Sequence, residues 1–192
     1  RRVRRRAAGA GVKRFALSAA ALLVALAASA QTEEVYRSNA IGMRLGPAAG
    51  GRAGGDSAFV LRVLSRGDTE VSVLLEGERE VRRTVRVTDP RDGSAVETVQ
   101  ENGQVTATRS YDGRMRLVEE RSAGELKVYR YRGDLLDLVE GSTLDGQPLY
   151  RERYAYTSRG RLREADRAHA DGSRTVSSFL FADNRLLGER LQ

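Results

Sequence analysis

The residues with acid–base, nucleophilic or ligand chemistry are few and sit mostly in the second half of the chain. Glu119-Glu120 and the set Glu152, Glu164 and Asp166 are the groups from which a carboxylate pair or a calcium site would be built. Arginines stand beside nearly all of them, namely Arg116, Arg121, Arg151, Arg153, Arg163 and Arg167. That interleaving predicts cross-strand ion pairing on a solvated face, and no Asp-x-Asp-x-Asp-Gly loop supports calcium. His169, the single histidine, lies in Ala168-His169-Ala170-Asp171-Gly172, a turn sequence that places it at a hairpin tip without a partner for general base work. Serine catalysis lacks a Gly-x-Ser-x-Gly elbow. With no Cys at all, thiol nucleophiles, disulfides, zinc knuckles and iron–sulfur clusters are excluded. The expectation is a protein with no catalytic residues, no metal site and no cofactor.

Three aromatic pairs stand apart from this background. Tyr129 and Tyr131, Tyr154 and Tyr156, and Phe179 and Phe181 are each separated by one residue, and the pairs recur every 25 residues. Residues i and i+2 of a strand share a face, so each pair points one way. Stacked hairpins would bring the pairs into one row, which either supports the core or lines a ligand-binding groove. A turn residue and a leucine follow each pair, in Gly133-Asp134-Leu135, Gly160-Arg161-Leu162 and Asn184-Arg185-Leu186. Asn in place of Gly fits, because Asn tolerates the left-handed conformation better than most residues. A degraded earlier copy opens at Tyr111-Asp112-Gly113-Arg114-Met115.

These units resemble the YD-repeat (RHS-type) family. The resemblance rests on Tyr111-Asp112-Gly113-Arg114-Met115, on Tyr154-Ala155-Tyr156-Thr157-Ser158-Arg159-Gly160-Arg161-Leu162 and on Asp171-Gly172-Ser173, and it covers about residues 111–192. It implies a secreted or surface-exposed array of β-hairpins and prescribes no catalytic residue. The large members wrap such arrays into shells around toxin domains, a role for which the repeat region here is too short.

The elements that would position the aromatics are legible as alternating runs. Residues 58–65, 69–76, 79–88, 94–100 and 104–110 are rich in β-branched residues with period two. Turn signals such as Asn102-Gly103 and Asp112-Gly113 punctuate them, which argues hairpins. Val71, Val73 and Leu75 fall on one face of their strand, as do Val81, Val85 and Val87 on theirs. The expected fold is all-β, an antiparallel meander of about 10–12 short strands in an open, twisted or curved sheet. It forms a single domain over residues 58–192, with the repeat clearest over 104–192. Residues 31–57, which include Gly50-Gly51 and Gly54-Gly55, read as a flexible Gly/Ala-rich linker, although 35–43 leaves room for one short strand or turn.

Residues 1–30 read as an address. Seven basic residues and no acid occupy positions 1–14, an apolar run follows over 16–27, and Ala28-Ser29-Ala30 precedes Gln31. This is the pattern of a secretory signal peptide with a helical apolar core, cut between Ala30 and Gln31 with Ala28 at the −3 position. The apolar run is shorter than the roughly 20 residues of a membrane span. The whole formal charge of +7 resides there: without those seven bases, 26 basic residues face 26 acidic ones. A neutral, interleaved surface is not a nucleic-acid stripe.

The chain is therefore expected to be exported to the periplasm or cell surface of a bacterium and to act there as a binding or scaffold module. Its partner is expected to be another envelope protein or a cell-surface glycan or lipid. The alternative is a periplasmic lipid or lipoprotein carrier with a curved half-barrel. That role needs a continuous apolar concave face, and Arg83, Arg109 and Glu119 fall on the strand faces assigned inward. An outer-membrane barrel fits less well, because many strands carry charge on both faces.

Overall fold

A computed structural model describes residues 31–48, 59–182 and 185–191. The signal segment, with its cleavage residues Ala28 and Ala30, and the glycine-rich stretch 49–58 lie outside the described residues. Among the described residues every regular element is a strand, and all fourteen join one antiparallel sheet. No helix among the described residues is long and apolar enough to cross a membrane.

The strands are β1 (Thr32–Ser38), β2 (Arg44–Pro47), β3 (Phe59–Arg66), β4 (Thr69–Glu76), β5 (Arg79–Thr88), β6 (Ala95–Glu101) and β7 (Gln104–Tyr111). They continue as β8 (Leu117–Ser122), β9 (Glu125–Arg132), β10 (Leu135–Thr143), β11 (Pro148–Tyr156), β12 (Leu162–His169), β13 (Arg174–Ala182) and β14 (Arg185–Leu191). From β3 to β14 each strand pairs with the next, a pure meander of twelve. At the far side β1 pairs with β3 and β2 hangs on the outside of β1.

The two strands beyond the expected dozen both fall in the segment read as a linker, and that reading is corrected for residues 32–47. Its glycine content misled because the glycines are concentrated after residue 48, whereas Thr32–Ser38 alternates well enough to pair along its whole length with β3. Gly42, with φ of 81°, lets the chain reverse into β2.

Among the described residues no second layer covers the sheet, so its core is built on its own two surfaces. Cα register defines an inner face running through Tyr36, Leu61, Leu74, Arg82 and Glu101. Leu61, Val63 and Leu74 form a buried cluster there, with Tyr36, Phe59 and Val81 packed around it. The inner face continues through β6, where Ala95, Glu97 and Val99 are buried while Val96 between them is exposed. Within β9–β13 it carries the buried Val139 and Ala165.

On the outer face Val60, Val73 and Leu138 are also buried. Val73 lies across from Arg62 and Arg83, and Leu138 across from Arg130 and Arg153. Long arginine side chains can lay their stems over such neighbours and keep the charge in water.

One face assignment made from the alternation is reversed. Arg83, Val85 and Val87 lie on the outer face, and Arg82, Thr84 and Arg86 point inward. Glu119 is likewise outward, paired in register with Ser110 and Val128, while Arg109 is inward as expected. Alternation tells which residues share a face only along an unbroken strand: the shift at Leu74/Leu75 separates Val81, packed on the inner cluster, from the outward Val85 and Val87, and the choice of face follows from register. Register shifts interrupt the pairing at Leu74/Leu75, Val99/Gln100 and Ser110/Tyr111 on the way.

Candidate functional site

Tyr129, Tyr131, Tyr154, Tyr156 and Phe179 of the repeat fall on the inner face. Tyr129 lies across from Val139, which lies across from Glu152 of β11, two residues before Tyr154. Tyr154 in turn lies across from Ala165, and Ala165 from Ser177, two residues before Phe179. Tyr131, Tyr156 and Phe181 follow one alternation further along their strands. The pattern that hairpin stacking predicts is thus the arrangement present in the backbone.

The register shows why the repeat carries a leucine after each turn. Tyr111 is the Cα partner of Leu117, Tyr131 of Leu136, Tyr156 of Leu162 and Phe181 of Leu186. In all four hairpins a register shift adjoins that pair. A bulge beside the turn increases local twist and fixes which residue meets the aromatic. In the first clear copy the partner is Leu136, one residue beyond the Leu135 that spacing from the turn suggests.

Successive hairpins are also tied together. The Tyr131 hydroxyl donates to the Leu117 carbonyl at 2.9 Å, and the Tyr156 hydroxyl to the Leu136 carbonyl at 2.7 Å. Leu117 and Leu136 therefore each meet an aromatic of their own hairpin in the register and accept from the next hairpin through their carbonyls. Arg116 stacks its guanidinium over Tyr131 at 4.7 Å from the ring centre.

Tyr156→Phe and Tyr131→Phe should each cost about 1 kcal/mol, since each removes one such bond and keeps the ring. Tyr156→Ala, which also removes half-buried apolar surface, should cost about twice that in urea unfolding. A ring that only lined a groove would leave the unfolding midpoint unmoved by either change.

A second inner-face feature was not found from spacing alone. Cα partners place Glu70, Arg86, Glu97, Arg109, Glu120 and Lys127 in one row across β4–β9, with the charge alternating in sign at every strand. Glu97 is its centre, only 4% exposed. Arg86 Nη2 approaches one carboxylate oxygen at 2.6 Å, Arg109 Nη1 approaches the other at 3.1 Å, and the Tyr111 hydroxyl donates to the latter at 3.3 Å. Burial pushes the Glu97 carboxyl upward, but the hydrogen bonds from Arg86 and Arg109 outweigh it and hold the group below the usual carboxylate range. Arg109 Nε continues the row to Glu120 at 2.9 Å.

The signal that would have revealed the row is the eleven-residue step from Arg86 to Glu97 with Asp92-Gly93 between. It identifies cross-strand partners only once the hairpin register is known.

The carboxylates picked out from the sequence do not converge. Glu119 and Glu120 are neighbours in β8 and point to opposite faces, with Glu119 held by Arg121 at 2.8 Å. Glu152 is inward and pairs with Arg167 at 2.8 Å, while Glu164 and Asp166 are outward and Asp166 pairs with Arg174 at 2.6 Å. Arg167 also stacks over Tyr150 at 4.4 Å from the ring centre. Among the described residues no group of three or more His, Asp or Glu could hold a metal ion.

His169 closes β12 across from Tyr150, with Nε2 3.5 Å from Thr175 Oγ1. Burial raises the Tyr150 phenol above its usual range, assisted by the neighbouring Glu125 carboxylate. Burial and the Glu152 charge do the same for Tyr154. Neither phenol is a base near neutral pH.

Gly141, the Cα partner of Tyr150, is where the Tyr150 ring lies over the neighbouring strand. A side chain there would collide with the ring, so the aromatic covers the glycine and protects the backbone beneath it.

A groove of about 570 Å³ opens along the inner face from β3 to β8. It is floored by Leu61, Leu74 and Val99, crossed by the Arg86–Glu97–Arg109 row, and overhung by Ile41 and Gly42, whose segment is held by Arg82 Nη2 donating to the Ile41 carbonyl at 2.6 Å. Its lining mixes aliphatic floor with paired charges. No family model matches the chain, and no curated protein matches it.

Proposed function

We propose that this chain is an exported protein of the bacterial cell envelope whose repeat sheet acts as a non-enzymatic binding or scaffold module. The observation that carries the reading is the inner face itself. Its acids and arginines are spent on each other and two repeat tyrosines are spent on backbone carbonyls, which suits a long rigid platform. Binding in such a molecule comes from shape and from main-chain hydrogen bonds at a sheet edge. The partner would be another envelope protein or a cell-surface glycan or lipid, met in the periplasm or at the cell surface.

A lipid or lipoprotein carrier would need an apolar inner face, and the alternating charges from Glu70 to Lys127 count against it. Protein purified from the envelope should bring no stoichiometric lipid with it. Export is tested by expressing the whole chain in a Gram-negative host and determining the mass of the accumulated protein. The expected product starts at Gln31, and Ala30→Leu should block its formation. An uncut chain retained in the cytoplasm overturns the reading.

A further inference from the structure

Five turns place an asparagine or aspartate directly before glycine: Asp92-Gly93, Asn102-Gly103, Asp112-Gly113, Asp145-Gly146 and Asp171-Gly172. Each carries the same latent reaction. The glycine nitrogen, flanked by no side chain of its own, attacks the carbonyl carbon of the preceding side chain and closes a five-membered imide. Whether a folded chain undergoes it depends on how firmly the side chain and the attacking nitrogen are held.

The four aspartate turns hold them. Asp92 Oδ1 accepts from the Ser94 N–H at 2.8 Å, and the Gly93 N–H donates to the Asp89 carbonyl at 2.8 Å. Asp171 Oδ1 accepts from the Ser173 N–H at 2.8 Å, and the Gly172 N–H donates to the His169 carbonyl at 3.1 Å. Asp145 accepts from the Thr143 hydroxyl, while the Gly146 N–H donates to the Thr143 carbonyl at 3.0 Å. Asp112 Oδ1 accepts from the N–H groups of Arg114 and Arg116, both at 3.0 Å, and Gly113 packs against the Asp92 carbonyl. Hydrogen bonds from Ser94, Arg116 and Ser173 also hold Asp92, Asp112 and Asp171 below the usual carboxylate range. An ionised carboxylate is a poor electrophile.

Asn102 differs on each count. It is exposed, with φ of 50° ahead of Gly103 at 78°, the two positive values of the tight turn that joins β6 to β7. Among the described residues its carboxamide has no hydrogen-bond partner, and no turn carbonyl accepts from the Gly103 N–H. Nothing lies within 4 Å of the position a Gly103 Cβ would take, so the turn can rotate without displacing a neighbour. The carboxamide is neutral and therefore electrophilic at physiological pH. Asn39, by contrast, precedes Ala40 and accepts from the Met43 N–H at 2.9 Å.

We infer that Asn102-Gly103 is a self-modification site, at which the folded chain deamidates ahead of its Asp-Gly turns. The Gly103 nitrogen bonds to Asn102 Cγ and gives up its proton, the Cγ–Nδ2 bond breaks, and ammonia departs to leave a succinimide. Water then opens either imide carbonyl, giving aspartate or isoaspartate at position 102. Aspartate suits this turn, whereas isoaspartate adds a carbon to the backbone and cannot reproduce it. The hairpin it loosens is the one that sets Glu101 against Gln104, Gln100 against Val105 and Glu97 against Arg109. The site thus acts on the charged row from its nearest turn. The inference is independent of export and of the binding role.

The experiment incubates the intact chain at pH 8 and follows tryptic residues 92–109 by mass spectrometry, with fragmentation that distinguishes isoaspartate. The expected result is a progressive gain of a single mass unit at position 102, with isoaspartate present, and slower isomerisation at the Asp-Gly turns. Asn102→Gly keeps a residue suited to the turn and should abolish the gain. Amide exchange over residues 95–111 should be faster in the aged protein than in the fresh one, with β9–β12 unchanged. Fresh Asn102→Asp supplies the charge without the extra backbone carbon and should exchange like the fresh wild type.

A synthetic peptide of residues 98–107 reports the rate of the unrestrained sequence. Conversion of the peptide with none in the folded chain over the same time would overturn the inference. So would isomerisation at Asp92, Asp112, Asp145 or Asp171 that keeps pace with position 102, or a mass gain that persists in Asn102→Gly. Exchange in fresh Asn102→Asp as fast as in the aged protein would overturn the backbone account of its effect.

Discussion

Glu97→Gln is expected to lower the stability of the sheet by about 2–3 kcal/mol at pH 7. The carboxylate is nearly inaccessible and holds Arg86 and Arg109 on either side, so the neutral amide leaves two guanidinium groups facing each other across β6. Removing one member of a fully buried pair typically costs about 3–5 kcal/mol. Both arginines keep about a third of their side-chain surface in water, which moderates the loss here.

The same group sets a pH dependence. Its folded-state pKa is depressed, so its contribution is present above the unfolded carboxylate value of about 4.3 and is lost as pH falls through the lower folded value. Asp112 and Asp166, held low by hydrogen bonds from Arg116 and Arg174, act in the same sense. Urea unfolding at pH 7, 5 and 3 should show the gap between wild type and Glu97→Gln closing toward pH 3. A gap that is constant across that range would mean that Glu97 is not charged in the folded protein.

Leu74→Ala should cost about 3 kcal/mol, within the range for a fully buried leucine. Leu74 is 2% exposed and sits among Leu61, Val63 and Tyr36, and among the described residues no second sheet can collapse onto the vacated space. The consequence should be local. In a meander each strand contacts only its neighbours, so stability is close to a sum of nearest-neighbour terms and sections can open separately. Amide exchange in the variant should accelerate in β1 and β3–β5 and leave β9–β12 protected. Uniform acceleration along all strands would show a sheet that unfolds as one unit.

Local chemistry made much of this molecule readable. Period-two alternation, Asn102-Gly103 and the Tyr-x-Tyr pairs every 25 residues announce hairpins, because strand geometry and turn conformation depend on residues a few positions apart. The common face of Tyr129, Tyr131, Tyr154 and Tyr156 followed from the same rule. The Thr32–Ser38 strand was obscured because its partner, β3, lies beyond an intervening hairpin and a glycine-rich stretch.

The choice of face and the alternating row through Glu97 depend on register across many strands. Register there is altered by a bulge of a single residue, as between Leu74 and Leu75 or between Ser110 and Tyr111. One such residue, between Leu74 and Leu75, sets which side of the sheet Arg83 takes relative to β4. The sequence alone thus determined that the chain is a string of hairpins with a repeating aromatic–leucine signature. Which charges meet and which surface buries them were decided by the folded sheet, because cross-strand neighbours are set by the cumulative offset of every bulge between them.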